Sequence, residues 1–129
     1  MTGVQTCALP IYPRIVALES AVDFALLIGI SAIESRMRFL ATSLKEQLSQ
    51  IAGVRLKTNL EPELSGGVVK ADINRVPTKQ AYDALWNEHR ISIAMTPSGD
   101  SQGLRFSPHI YNSRQEIQRT VDAVKALAS

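Results

Sequence analysis

A chain of 129 residues with 45% hydrophobic and 20% charged residues and a formal charge of +2 has the make-up of one ordinary soluble domain, able to bury roughly two-thirds of its unfolded surface. Its fourteen Lys and Arg are interleaved with twelve acidic residues, with no basic block and no aromatic–basic stripe, so nucleic acid is not an expected partner. No apolar run reaches the ~18 residues of a membrane span, and the start lacks the basic and apolar regions of a secretory signal, so no membrane partner is expected either.

Residues 1–11, Met1-Thr2-Gly3-Val4-Gln5-Thr6-Cys7-Ala8-Leu9-Pro10-Ile11, resemble the conceptual translation of a common short-read sequencing adapter with a GTG start read as Met. They are expected to be non-native, leaving 12–129 as the genuine domain. Cys7 is the sole cysteine and lies in that segment. Disulfide, zinc–cysteine and thiol-nucleophile chemistry therefore lapse for the remainder. A cysteine-free chain suits a cytoplasmic location.

Pro13 opens a predicted helix over residues 13–28, since proline suits the first helical position. Ile15, Leu18, Ala21, Val22, Phe24, Ala25 and Ile28 form a wide apolar arc, with Glu19, Ser20 and Asp23 as a narrow polar strip. Such a helix wants burial on more than one side, and the second side is expected to face something absent from this chain. Gly29 breaks the run. Ser31-Ala32-Ile33-Glu34 has a capping-box pattern and predicts a second helix to about Gln50. Its apolar stripe is Ile33, Met37, Leu40, Leu44, Leu48 and Ile51, and Arg36, Arg38, Lys45 and Glu46 are expected on its solvated face.

Residues 54–58 alternate as a strand, 59–65 read as a polar loop, and 67–73 as a second strand. Thr78 is expected to cap a helix running to about Arg90, followed by strand 91–95. A turn-rich stretch, 97–103, leads to a fourth strand at 104–107. Ser113-Arg114-Gln115-Glu116 is another capping box, opening a helix whose core stripe is Ile117, Val121, Val124 and Leu127. The order ααββαββα predicts an α+β two-layer sandwich, with helices packed on a mostly antiparallel four-stranded sheet.

Few residues carry chemistry. Alternation puts Arg105 on the strand face opposite Leu104 and Phe106. A guanidinium there offers paired donors to a carboxylate, or serves in a surface ion pair. His109 reads as a partly buried structural residue or a ligand contact, Tyr111 as packing, and Asn112 or Ser113 as the cap of the last helix. His89 beside Arg90 reads as compensation of a helix dipole. The two histidines are far apart with no cysteine partner, so no metal site is expected. Asp100 with Gly99 and Gly103 reads as a plain turn rather than a phosphate loop.

Several segments, taken in order, resemble the C-terminal small domain of class V, fold-type I pyridoxal-phosphate enzymes, the aminotransferase and isopenicillin-epimerase-like group. They are Ile15-Val16-Ala17-Leu18-Glu19-Ser20-Ala21-Val22-Asp23-Phe24, Ile28-Gly29 with the arginine-bearing second helix, Gly53-Val54, and Gly66-Gly67-Val68. The last and most specific is Leu104-Arg105-Phe106-Ser107-Pro108-His109-Ile110-Tyr111-Asn112-Ser113, followed by Gln115-Glu116-Ile117. The resemblance covers residues 13–129. It implies that Arg105 binds the α-carboxylate of an amino-acid substrate, that His109 is a weaker candidate contact, and that pyridoxal 5'-phosphate is the cofactor of a homodimeric parent.

The family's Schiff-base lysine, the aspartate on the pyridine nitrogen, the ring-stacking group and most phosphate contacts lie in a large domain. No such motif is present here. Lys45, Lys57, Lys70, Lys79 and Lys125 are all expected on ordinary helix or strand surfaces. This chain alone is therefore expected to be inactive and to hold no catalytic or cofactor-binding residue. Class V cysteine desulfurases carry a catalytic cysteine in the stretch matching residues 95–103, where this chain has none. An aminotransferase, epimerase or lyase remains. The alternatives are a free-standing carboxylate-binding module and an interaction domain that docks through its apolar first helix.

Overall fold

The computed structural model describes residues 12–96, 99 and 102–129. The adapter-like segment with Cys7 lies outside the described residues, as do Pro97, Ser98, Asp100 and Ser101 of the turn-rich stretch. The chain divides into two units, residues 1–33 and 34–129.

In the first unit, α1 spans Tyr12–Ile28. Its apolar residues run almost all round the helix: Ile15, Leu18, Val22, Phe24 and Leu26 are exposed, and Leu27 is 84% exposed. Gly29 ends it at φ +92°, a left-handed conformation that any Cβ would resist. The Gly29 N–H still closes onto the Ala25 carbonyl, and the Gly29 carbonyl already accepts from Ile33. The second helix, α2 (Ile30–Ser49), therefore starts ahead of Ser31, and the expected capping box does not form. Glu34 instead pairs with Arg38 at 2.8 Å, one turn on.

The second unit contains the rest of α2, a four-stranded sheet and two further helices. The strands are β1 (Val54–Leu56), β2 (Val69–Ile73), β3 (Ala94–Thr96) and β4 (Gly103–Phe106). Their order is β1-β2-β4-β3, antiparallel throughout. The helices are α3 (Thr78–Asn87) and α4 (Arg114–Ala128). A 3-10 turn at Pro62–Leu64 lies inside the segment expected to be a polar loop.

Alternation decides which side of the sheet is covered. Val69, Ala71 and Ile73 of β2 and Leu104 and Phe106 of β4 are buried. They pack with Leu40, Leu44 and Leu48 of α2, Ala81 and Leu85 of α3, and Ile117, Val121 and Val124 of α4 in one core. The expected α+β two-layer sandwich is present, with its helical layer on one face.

Three local expectations are corrected. Thr78 does not cap α3: Pro77 holds that position without a side-chain cap, and Thr78 is buried as the first helical residue. Strand 91–95 shortens to β3, because the Ile91 N–H bonds back to the Leu85 carbonyl at 2.8 Å. Arg90 stands in the left-handed region at φ 55°, and its N–H bonds to the Trp86 carbonyl at 3.1 Å, turning the chain out of α3. Lys45 is not on the solvated face of α2. It is 1% exposed, and its ammonium donates to the Asn59 and Leu60 carbonyls, each at 3.0 Å, and to Ser65 Oγ.

The capping box of α4 forms as read. Ser113 Oγ accepts from the Glu116 N–H at 3.1 Å, and Glu116 accepts from the Ser113 N–H at 2.7 Å. Hydrogen bonding from the Ser113 backbone, and after it from the Ser113 hydroxyl, holds the Glu116 carboxyl below its ordinary pKa.

Candidate functional site

Arg105 sits in the middle of β4 between two buried neighbours, Leu104 and Phe106. A period of two aims its side chain away from the core, and it is exposed. Its cross-strand partners are Lys70 on β2 and Ala94 on β3. Arg105 therefore occupies the open face of the sheet, opposite the face on which α2, α3 and α4 form the core.

That face is cationic. Arg55 and Asp72 are opposed across β1 and β2 and bond at 2.9 Å. Lys57, just past β1, reaches the same Asp72 oxygen at 2.8 Å. Lys70 is held 3.4 Å from the Thr96 hydroxyl. Four cations, Arg55, Lys57, Lys70 and Arg105, thus share the face with the single carboxylate of Asp72 among the described residues. Burial works to raise the Asp72 pKa, but the hydrogen bonds from Lys57 and then Arg55 outweigh it and hold the carboxyl below its ordinary value.

Lys57 also ties the start of β4 into this arrangement by donating to the Gln102 carbonyl. Next along the chain is Gly103, at φ +146°. A Cβ there would lie 2.7 Å from Asp72 Oδ1 and 3.2 Å from the Ala71 carbonyl oxygen. The position needs glycine for both its backbone angle and its space. Asp72 Oδ1 itself is buried and accepts no hydrogen bond among the described residues.

His109 and Tyr111 lie beyond the end of β4. Both are exposed, and their rings stack at 4.9 Å. The expectations of a partly buried His109 and a packing Tyr111 are thereby corrected. The turn they occupy is ordered by backbone bonds: Asn112 Oδ1 accepts from the His109 N–H at 2.8 Å. Arg36 Nη2 donates to the Asn112 carbonyl at 2.9 Å. Neither Arg105 nor His109 lines the 210 Å³ cleft that lies between Arg90, Ile93, Ser107 and Glu116.

Reasoning from the sequence found Arg105 but missed its companions. The signal was present, since the alternations Arg55-Leu56-Lys57 and Lys70-Ala71-Asp72 put their polar members on one side. Joining them to Arg105 required the strand order and register. Among the described residues no group of three or more His, Cys, Asp or Glu is placed to hold a metal ion, and no single helix is long and apolar enough to cross a membrane.

The lysines do not fit a cofactor aldehyde. The Lys45 amine is buried and bound by three oxygens. Lys57 is paired with Asp72 and Lys79 with Asp83. Lys70 lies against Thr96, and Lys125 is exposed on α4. No described lysine is buried beside an unfilled pocket.

The fold is of the α+β type found as the small domain of fold-type I pyridoxal-phosphate enzymes. No family model matches the chain. It is 34% identical over 116 residues to isopenicillin N epimerase of Amycolatopsis lactamdurans, covering 87% of this chain and 28% of that protein. To isopenicillin N epimerase of Streptomyces clavuligerus it is 33% identical over 115 residues, covering 86% and 28%. The chain thus spans little more than a quarter of the curated relatives it matches. Among solved structures it resembles a cysteine desulfurase from Thermococcus onnurineus NA1, with a TM-score of 0.72 and 21% identity over 83% of this chain and 28% of that one. It also resembles an alanine–glyoxylate aminotransferase from Nostoc sp., at 0.69 and 23% over 88% and 30%. The structural likenesses concern the fold.

Proposed function

We propose that this chain is the C-terminal, substrate-carboxylate-binding domain of a class V pyridoxal-phosphate enzyme of the aminotransferase and epimerase kind, acting on an amino acid. Homology to isopenicillin N epimerases over 87% of the chain, together with the small-domain fold, supports the family. The observation that carries the role is Arg105, exposed at the centre of a cationic sheet face with its strand neighbours buried.

In this reading the parent enzyme is a cytoplasmic homodimer. A large domain in the same polypeptide, outside this chain, holds pyridoxal 5'-phosphate and labilises a bond at the substrate Cα. This chain's residues bind and orient. The Arg105 guanidinium receives the α-carboxylate through two parallel donors, which fixes how the amino acid stands. Lys57 anchors Gln102, and Gly103 keeps the strand start close against β2, so that Arg105 is presented at a constant height. His109, in the turn after β4, is the second candidate contact. The exposed apolar residues of α1 are the surface for the large domain or the second subunit.

The test is Arg105→Lys in the full-length parent polypeptide. A point charge replaces the planar fork, so kcat/KM for the amino acid falls about 100-fold while the cofactor remains bound by absorbance. Unchanged kinetics would remove Arg105 from the site.

A further inference from the structure

The 210 Å³ cleft is walled by the turn after α3, the end of β4 and the first turns of α4, all within the second unit. Its floor is apolar, made by the buried residues Leu44, Ile91, Phe106 and Ile117. Its rim is rich in donors. Arg119 Nη2 donates to the His89 carbonyl at 3.1 Å and to the Arg90 carbonyl at 3.4 Å, while its Nε and Nη1 have no acceptor among the described residues. The Arg90 guanidinium also lines the cleft and has no acceptor among them either. The only other charged residue of the lining, Glu116, is engaged by the Ser113 N–H. Two guanidiniums against one carboxylate leave the cleft with a single positive charge, which suits a monoanion.

A second observation points the same way. Arg90 stands at φ 55°, at a helix exit where glycine is the residue of least strain. A long charged side chain kept in a strained backbone conformation at the rim of a concave site is a mark of use. We infer that this cleft binds a small carboxylate with an apolar body, its carboxylate received by Arg90 and Arg119 and its body laid over Phe106 and Ile117. The cleft is smaller than the ~300–1,000 Å³ of pockets that take drug-sized ligands, so the body is a single ring or a short chain. The inference is independent of the role given to Arg105, which does not line the cleft.

The experiment titrates the uniformly 15N-labelled 129-residue chain with benzoate, with its neutral counterpart benzamide and with acetate, following backbone amide shifts. Low ionic strength is required because both arginines are exposed. Benzoate should shift the amides of Ser92, Ser107 and Arg119. It should bind about 3- to 10-fold more tightly than benzamide, which lacks the charge, and than acetate, which lacks the body. Arg90→Gly should weaken benzoate about 3-fold or more and leave benzamide unchanged, while raising the midpoint of urea unfolding because the strain is relieved. That rise separates lost binding from lost folding. Equal affinity for benzoate and benzamide, or benzoate affinity unchanged in Arg90→Gly, overturns the inference. Shifts confined to β2 and β4 around Arg105 overturn it too, since the carboxylate then sits on the open face. A midpoint that falls in Arg90→Gly also overturns it, because the side chain is then holding the turn rather than straining it.

Discussion

Lys45 offers a sharp test of how this domain is held together. Lys45 is 1% exposed, and its ammonium clamps the segment after β1 by donating to the carbonyls of Asn59 and Leu60 and to Ser65 Oγ. Lys45→Met keeps most of the stem's volume and removes the charge and all three donors. Two effects oppose each other. Charge-assisted hydrogen bonds contribute about 1.5–3 kcal/mol each, whereas freeing the fold from desolvating an ammonium returns several kcal/mol.

The geometry decides between them. Only one side of the interaction is replaced, so two carbonyls are left facing a methyl group, while Ser65 Oγ keeps its own bond to the Glu61 carbonyl at 3.0 Å. Removing one partner of a buried charge arrangement costs about 3–5 kcal/mol. Asn59 and Leu60 are themselves exposed, so water can reach their carbonyls after a small movement, which puts the expected loss near the lower end, about 3 kcal/mol. The assay is equilibrium urea unfolding at pH 7, with amide hydrogen exchange over residues 59–65. Exchange there should accelerate more than in β2 or β4. A variant within about 1 kcal/mol of the parent, or more stable than it, would refute the argument, because it would mean that the desolvation cost dominates.

Two further outcomes follow from the open face. The Asp72 pKa is depressed in the folded state, so its contribution is fully present above the unfolded value of about 3.9 and is lost as pH falls through the folded value. Urea unfolding at pH 7 and pH 3 should show that acid-side loss shrinking in Asp72→Asn, and an unchanged pH dependence would contradict it. Gly103→Ala places a Cβ 2.7 Å from an Asp72 oxygen pinned by two cations and 3.2 Å from the backbone carbonyl of Ala71. With φ at +146° in addition, the loss should be about 2 kcal/mol or more in the same unfolding assay; a neutral substitution would show that the strand start yields freely.

Much of the fold was legible because its local signals agree with its tertiary demands. The Leu104-Arg105-Phe106 alternation orients Arg105 correctly, and the Ser113–Glu116 box begins α4 where the pattern places it. What was not legible depends on distant partners. A lysine amid the leucines of α2 reads as a solvated residue until carbonyls from residues 59 and 60 arrive above it. Ile91 reads as strand until its N–H is claimed by the C-terminus of α3, a closure invisible without knowing that Arg90 adopts a left-handed angle. Ser31 and Glu34 have the spacing of a cap, but Gly29 lets the helix begin earlier. The cationic face was written in three separate alternations, and only the order β1-β2-β4-β3 assembles them.

The measurement that bears most directly on the whole account is the DNA sequence of the source upstream of the Tyr12 codon. The proposed function predicts that the reading frame continues upstream of residue 12 into a large domain carrying a Schiff-base lysine. A gene that begins at Met1 and encodes residues 1–11 as they stand would contradict it, and would leave Arg105 as an anion site on an independent domain.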